Sequence, residues 1–309
     1  MVGPTQPDQD LAMQRIDVAP GLSFSRLAYG TWRLARDSDT SPDHIAAKLA
    51  AGLDQGITTL DLADVYGGYT AEALVGAALA PRPGLRQRLE IVSKCGIVNP
   101  VGRHAGRRIK HYDTGAGHIR AAVEASLTAL RTDRLDLLLI HRPDPLMDHH
   151  ETGAVLDALV SEGKLRAVGV SNSRPWDVSL LQSGMRTRLV ANQIEMSLAA
   201  PDAFTNGDLA YLQERRMVPM AWSPLGGGAL LGGDRPELGT RLAELGAPAG
   251  ADAAAVALAW LLRHPAGILP VIGTNRIDRI ALLARATEVR LTREDWFDLY
   301  RLARGRNVA

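Results

Sequence analysis

Four residues with complementary acid–base chemistry stand at or just beyond the ends of three short apolar runs. Asp61 and Tyr66 follow ITTL, Lys94 ends LEIVSK, and His141 ends LDLLLIH. A tyrosine of ordinary acidity, with a pKa near ~10, donates a proton sluggishly at neutral pH. An ammonium beside it favours the phenolate, so Lys94, held by Asp61, is expected to lower the Tyr66 pKa. His141 would orient and polarise a carbonyl, or relay a proton. A phenol so tuned suits protonation of an oxygen as a hydride reaches its carbon. The choice of lysine is informative, because the chain has only four lysines among its 35 basic residues. Arginine was available, but its planar fork is not a compact point charge. Each residue alone has a plainer use: Asp61 as a turn cap, Tyr66 as a packed loop aromatic, Lys94 as a solvated charge, His141 as a partner of a backbone carbonyl. Delivery of all four to one place favours the chemical reading.

No side chain supplies a hydride, so a cofactor must. The stretch AWSPLGGGALLGG (221–233) is rich in glycines that allow backbone to approach phosphates. Its Gly226, Gly228 and Gly232 lack the spacing of a Rossmann fingerprint. Further on, PVIGTNRIDRIALL places Gly273 and Thr274 before an expected helix with Arg276 and Arg279 in its first turn. A helix start with two arginines suits a phosphate. The plainer reading is surface arginines on an amphipathic helix.

These residues need a scaffold that gathers strand ends. Eight short β-branched or leucine-rich runs alternate with segments of helical period: 26–30, 57–61, 89–94, 135–141, 165–171, 189–195, 217–222 and 268–273. Several are apolar on both alternating faces, as strands buried in a parallel sheet are. Helices are expected over 41–55, near 71–80, along the Ile119–Leu130 stripe, and near 152–162, 175–183, 207–216, 251–264 and 276–287. The pattern predicts an α/β fold, a (β/α)8 TIM barrel forming one domain over 1–309. It adds an N-terminal β-hairpin, RIDV–APG–LSFS, an extra C-terminal helix from Thr292, and a flexible tail over 1–14. Two long connections, 97–117 and 223–250, both follow strands and so belong to the face where barrels do chemistry.

The motifs DLADVYGG, IVSKCG, LLLIHRPDP, VGVSN, NQIEMS, AWSPLGGG and PVIGTNR occur in an order that resembles the aldo-keto reductase superfamily, over about residues 22 to 300. The resemblance looks closest to a bacterial branch of predicted oxidoreductases. It implies a barrel that binds NADPH or NADP without a Rossmann domain. It also implies a catalytic tetrad of Asp61, Tyr66, Lys94 and His141, with tyrosine as general acid. Ser171, Asn172 and Gln193 then hold the carboxamide, and Trp222 stacks on the nicotinamide. Ser223, Pro224, Leu225, Gly226, Gly228 and Leu230 form the pyrophosphate loop. Gly273, Thr274, Arg276 and Arg279 lie at the adenosine 2′-phosphate, which favours NADPH over NADH. Gly30, Thr31 and Trp32 lie near the nicotinamide and substrate. Where many members touch adenine with asparagine or glutamate, this chain has Leu282 and Leu283.

Composition narrows the alternatives. The formal net charge of +1 offers no basic field for nucleic acid. No run of 18 apolar residues and no secretory leader is read, and the single Cys95 fits the cytoplasm and rules out a cysteine-based zinc cluster. The expected partner is a small carbonyl compound, with no metal. Two other readings are weighed: a cofactor-binding redox sensor or partner subunit, and a Schiff-base lyase using Lys94. Loop 97–117, with Arg103, Arg107, Arg108, Lys110, His111 and Tyr112, is expected to be a solvated or cofactor-covering lid, or else to attract anionic substrates.

Overall fold

All eight apolar runs become strands, and the strands close on one another. The computed structural model describes residues 14–232 and 235–309. The strands are β1 (Ala28–Gly30), β2 (Thr59–Asp61), β3 (Glu90–Cys95), β4 (Leu137–Ile140), β5 (Val168–Ser171), β6 (Leu189–Glu195), β7 (Val218–Trp222) and β8 (Leu269–Ile272). Each pairs in parallel with the next, and β8 returns to β1 through Val271 opposite Ala28. β4 reads LLLI and every residue of it is buried, because the barrel interior lies on one side and helices on the other.

The surrounding helices are α1 (Pro42–Asp54), α2 (Ala71–Leu79), α3 (Ala116–Leu130), α4 (His149–Ser161), α5 (Pro175–Ser183), α6 (Asp208–Glu214), α7 (Pro236–Gly246), α8 (Ala253–Leu262) and α9 (Arg293–Arg304). α1 starts where Ser41 accepts a hydrogen bond from the His44 amide, with Pro42 at its first position. α9 opens with a capping box between Thr292 and Asp295. Two regions differ from the sequence reading. The connection 223–250 carries α7, whose Leu238 and Leu242 are buried one turn apart. The helix expected over 276–287 is two short pieces: a single turn, Ile277–Ile280, and a 3-10 segment, Leu283–Thr287, parted at Leu282, where φ is −114°.

Side chains alternate across a strand, so inward positions recur every second residue. Val92, Leu137, Leu139, Met220, Leu269 and Val271 share one interior cluster with Ala28 and Ala191. The N-terminal hairpin, Arg15–Ala19 against Leu22–Ser25, sends Val18, Leu22 and Phe24 into the same cluster and plugs the barrel floor. The barrel is thus filled with hydrocarbon below and open above. The tail expected over 1–14 lies, apart from Gln14, outside the described residues. Among the described residues no single helix is long and apolar enough to cross a membrane.

Candidate active site

Moving two residues along each strand from the interior cluster reaches the polar mouth. Val92 leads to Lys94, Leu139 to His141, Ala191 to Gln193, Met220 to Trp222, Val271 to Gly273 and Ala28 to Gly30. Period-two alternation thus turns separate strand ends into one ring of side chains.

At the centre lies a buried ion pair. Lys94 Nζ is 2.8 Å from both carboxylate oxygens of Asp61, 2.6 Å from the Leu62 carbonyl and 3.1 Å from Tyr66 Oη. Its three protons are therefore fully engaged. Burial alone would lower the Lys94 pKa, but Asp61 and Tyr66 together hold it raised, so the amine stays charged. Gln193 also donates to Asp61 Oδ1, at 2.7 Å.

The sequence reading erred on the sign of the Tyr66 shift. Burial raises that pKa, Lys94 pulls it down, and Asp61, by countering the ammonium, pushes it back up; the net direction is upward. Tyr66 is held protonated. Because Tyr66 Oη accepts from Lys94, its own proton is left free for the cavity. The His141 ring lies 5.9 Å from the Tyr66 ring, edge to face. Its pKa falls well below the usual value through burial and then through Lys94, Arg142 and Lys110, so the imidazole is neutral. His141 Nδ1 is buried with no hydrogen-bond partner among the described residues.

These groups border a cavity of about 830 Å³ that extends across the barrel mouth to the segment after β8. Asp61, Tyr66 and His141 line it, as do Gly30, Trp32, Ser171, Asn172, Gln193, Trp222, Ser223, Pro224, Leu225, Gly228, Gly273, Thr274, Arg276 and Arg279. Four expected residues lie off the wall. Lys94 is wholly buried beneath Asp61 and Tyr66. Thr31 turns its hydroxyl to the Asp61 carbonyl, at 3.0 Å. Gly226 packs against Ala199, so that Gly227 reaches the cavity instead. Leu230 is buried, and Leu231 lines the wall in its place. None of loop 97–117 lines the cavity.

A polar chain joins the mouth. Trp222 Nε1 donates to Asn172 Oδ1 at 2.9 Å, and Asn172 Nδ2 donates to Ser171 Oγ at 2.8 Å. Asn172 and Ser223 both adopt left-handed backbone, with φ of 56° and 49°. Such conformations in non-glycine residues cluster at functional sites. The expected helix start at the anion end is a correction. Arg276 precedes a single four-residue turn and pairs with Asp278. Any anion affinity there rests on the arginines rather than on a helix dipole.

The profile of the aldo/keto reductase family matches residues 26–303. The chain belongs to the aldo/keto reductase family. It is 62% identical over 297 residues to a 6-dehydroglucose reductase of Agrobacterium fabrum, covering 96% of this chain and 100% of that one. It is 40% identical over 298 residues to a 6-dehydroglucose reductase of Novosphingobium aromaticivorans, covering 93% and 94%. An aldo-keto reductase from Klebsiella pneumoniae, solved in complex with NADPH, superposes with a TM-score of 0.78 at 29% identity, covering 94% and 95%.

In this aldo/keto reductase the sequence reading missed two arginines. Arg33 ties three segments together, donating to the Gly273 carbonyl at 3.0 Å and the Gly227 carbonyl at 3.2 Å. Arg142 lines the cavity beside His141. No salt bridge or hydrogen bond of its side chain occurs among the described residues. Its position directly after a strand-end histidine was the only signal available.

Proposed function

We propose that this aldo/keto reductase reduces an aldehyde to a primary alcohol with NADPH, Tyr66 supplying the proton, and that the chain acts as one barrel domain. The observation that carries the reading is the Tyr66 hydroxyl, backed by Lys94 at 3.1 Å and facing the cavity with its proton free. When bound, the nicotinamide supplies the hydride. Trp222, Asn172, Ser171 and Gln193 would hold its ring and amide. Ser223 to Gly228 would meet the pyrophosphate with backbone that is left-handed at Gly226, Gly227 and Gly228. Arg279, on the cavity wall, would pair with the 2′-phosphate, and the apolar Leu258, Leu282 and Leu283 would flank the base. The residues on the wall therefore fit the cofactor.

On this reading a carbonyl oxygen docks between Tyr66 Oη and His141. The neutral imidazole donates a hydrogen bond that polarises the carbonyl. Tyr66 then passes its proton to the oxygen, and the fixed Lys94 charge stabilises the phenolate that remains. A Schiff-base role for Lys94 is disfavoured, because its amine is charged, buried and bonded on every proton.

The substrate we favour is 6-dehydroglucose, the compound in the name of the relative at 62% identity. The unpaired Arg142 fork suits sugar hydroxyls, and Trp32, half exposed on the wall, offers a flat apolar face. The single buried Cys95 suits a reducing compartment such as the cytoplasm. Purified protein, NADPH and 6-dehydroglucose should give glucose with matching loss of NADPH. NADPH binding without turnover of this or any other aldehyde would favour the sensor reading instead.

A further inference from the structure

Loop 97–117 stays off the cavity, yet its first part is bound to the turn that carries Tyr66. That segment, Tyr66–Gly68, is a single 3-10 turn, and Gly67, Gly68 and Tyr69 are all left-handed, with φ of 61°, 66° and 74°. Three independent contacts from the loop meet it. The Asn99 amide donates to Tyr69 Oη at 2.8 Å, and that hydroxyl donates to the Ile97 carbonyl at 3.2 Å. Gly102, itself at φ 53°, lies against the turn so closely that a Cβ on it would sit 2.6 Å from the Gly68 carbonyl oxygen. Arg103 stacks 4.7 Å from the Tyr69 ring centroid and donates to Asp64 Oδ2 at 2.7 Å.

Asp64 links the clamp to the reacting groups. It precedes Tyr66 by two residues, and its amide donates to the Lys94 carbonyl at 3.0 Å. Its carboxylate is fully buried, Oδ1 has no hydrogen-bond partner, and Arg103 is its one ion-pair partner among the described residues. The other titratable groups facing it are Glu72 from α2, Cys95 from β3 and Tyr69 from its own turn.

We propose that Arg103 is a positioning residue: by pairing with Asp64 across Tyr69, it fixes the turn that places the Tyr66 hydroxyl beside Lys94. The loop is then a buttress for the acid. The inference rests on the reading of Tyr66 as proton donor. A displacement of about 1 Å at a reacting group can cost ~100-fold in rate.

The test is steady-state kinetics of the full chain with NADPH and 6-dehydroglucose, alongside circular-dichroism melting. Arg103→Ala should lower kcat by about ten- to a hundredfold, leave the KM for NADPH unchanged and leave the protein folded at assay temperature. Arg103→Lys should recover part of the loss. Asp64→Asn should match Arg103→Ala, and the double variant should be no worse than either single one. Burial pushes the Asp64 carboxyl up to about 7 against the pull of Arg103. The pair is therefore present above that pH and lost below it, so wild-type kcat should fall as pH drops through about 7. Asp64→Asn should be flat there. Wild-type kcat in Arg103→Ala, or additive losses in the double variant, would overturn the clamp. So would a parallel loss of kcat, NADPH binding and folded fraction. Tyr66→Phe with full activity would instead remove the underlying reading, which separates the two failures.

Discussion

The two ends of the cavity are built on opposite plans. At the proposed reacting end, Lys94 and Asp61 are 0% and 2% exposed, and every proton of the ammonium has a partner inside the protein. At the far end, Arg276 and Asp278 are each 62% exposed at the side chain, and Arg279 makes no salt bridge among the described residues. Charges that stabilise a transition state work best when fixed beforehand in a water-poor site, because nothing must reorganise during reaction. Charges that capture a ligand work by being available to it. The first kind belongs to the fold, and removing it threatens the fold. The second kind is dispensable to stability and matters only to the ligand.

This contrast can be broken by substitution. Tyr66→Phe should lower the reduction rate about 10²- to 10⁴-fold with NADPH affinity unchanged by fluorescence titration. A variant retaining most of its kcat would take the proton-donor role from Tyr66. Lys94→Met leaves the Asp61 carboxylate buried and unpaired, at a cost of about 3–5 kcal/mol. Urea unfolding should register that loss together with lost turnover, and an unchanged midpoint would contradict a prebuilt reacting end. Arg279→Ala should weaken NADPH about ten- to a hundredfold, weaken NADH little, and leave unfolding unchanged. Equal loss for both cofactors would place the 2′-phosphate elsewhere. Asp278→Asn releases Arg276 from an exposed pair, and exposed pairs are weak. The NADPH KM should improve only a few-fold, and a large change would mean that this end is more organised than its exposure indicates.

The barrel was readable because buried parallel strands are apolar on both faces, and none of the eight runs failed to become a strand. The mouth was readable for a related reason: polar residues are conspicuous at the end of such runs, and Lys94, His141 and Gln193 all follow interior positions by two. α7 was passed over although Leu238, Leu242 and Leu245 recur at helical spacing, because Gly239 and the glycine-rich stretch before it look like loop. The acidity of Tyr66 was misjudged for a deeper reason. Neighbours can be inferred from strand order, but the depth of burial that opposes them cannot. The Asp64–Arg103 pair was equally hidden, since residues 97–117 have no periodicity to say which way Arg103 turns.

The central claim is that burial keeps the phenol of Tyr66 protonated, while Lys94, held by Asp61, stands ready to stabilise its anion. The direct measurement is an ultraviolet difference titration of wild type against Tyr66→Phe, which isolates one phenol. The account predicts that the Tyr66 phenolate appears only above the ordinary tyrosine range near ~10. A phenolate already present at neutral pH would contradict it.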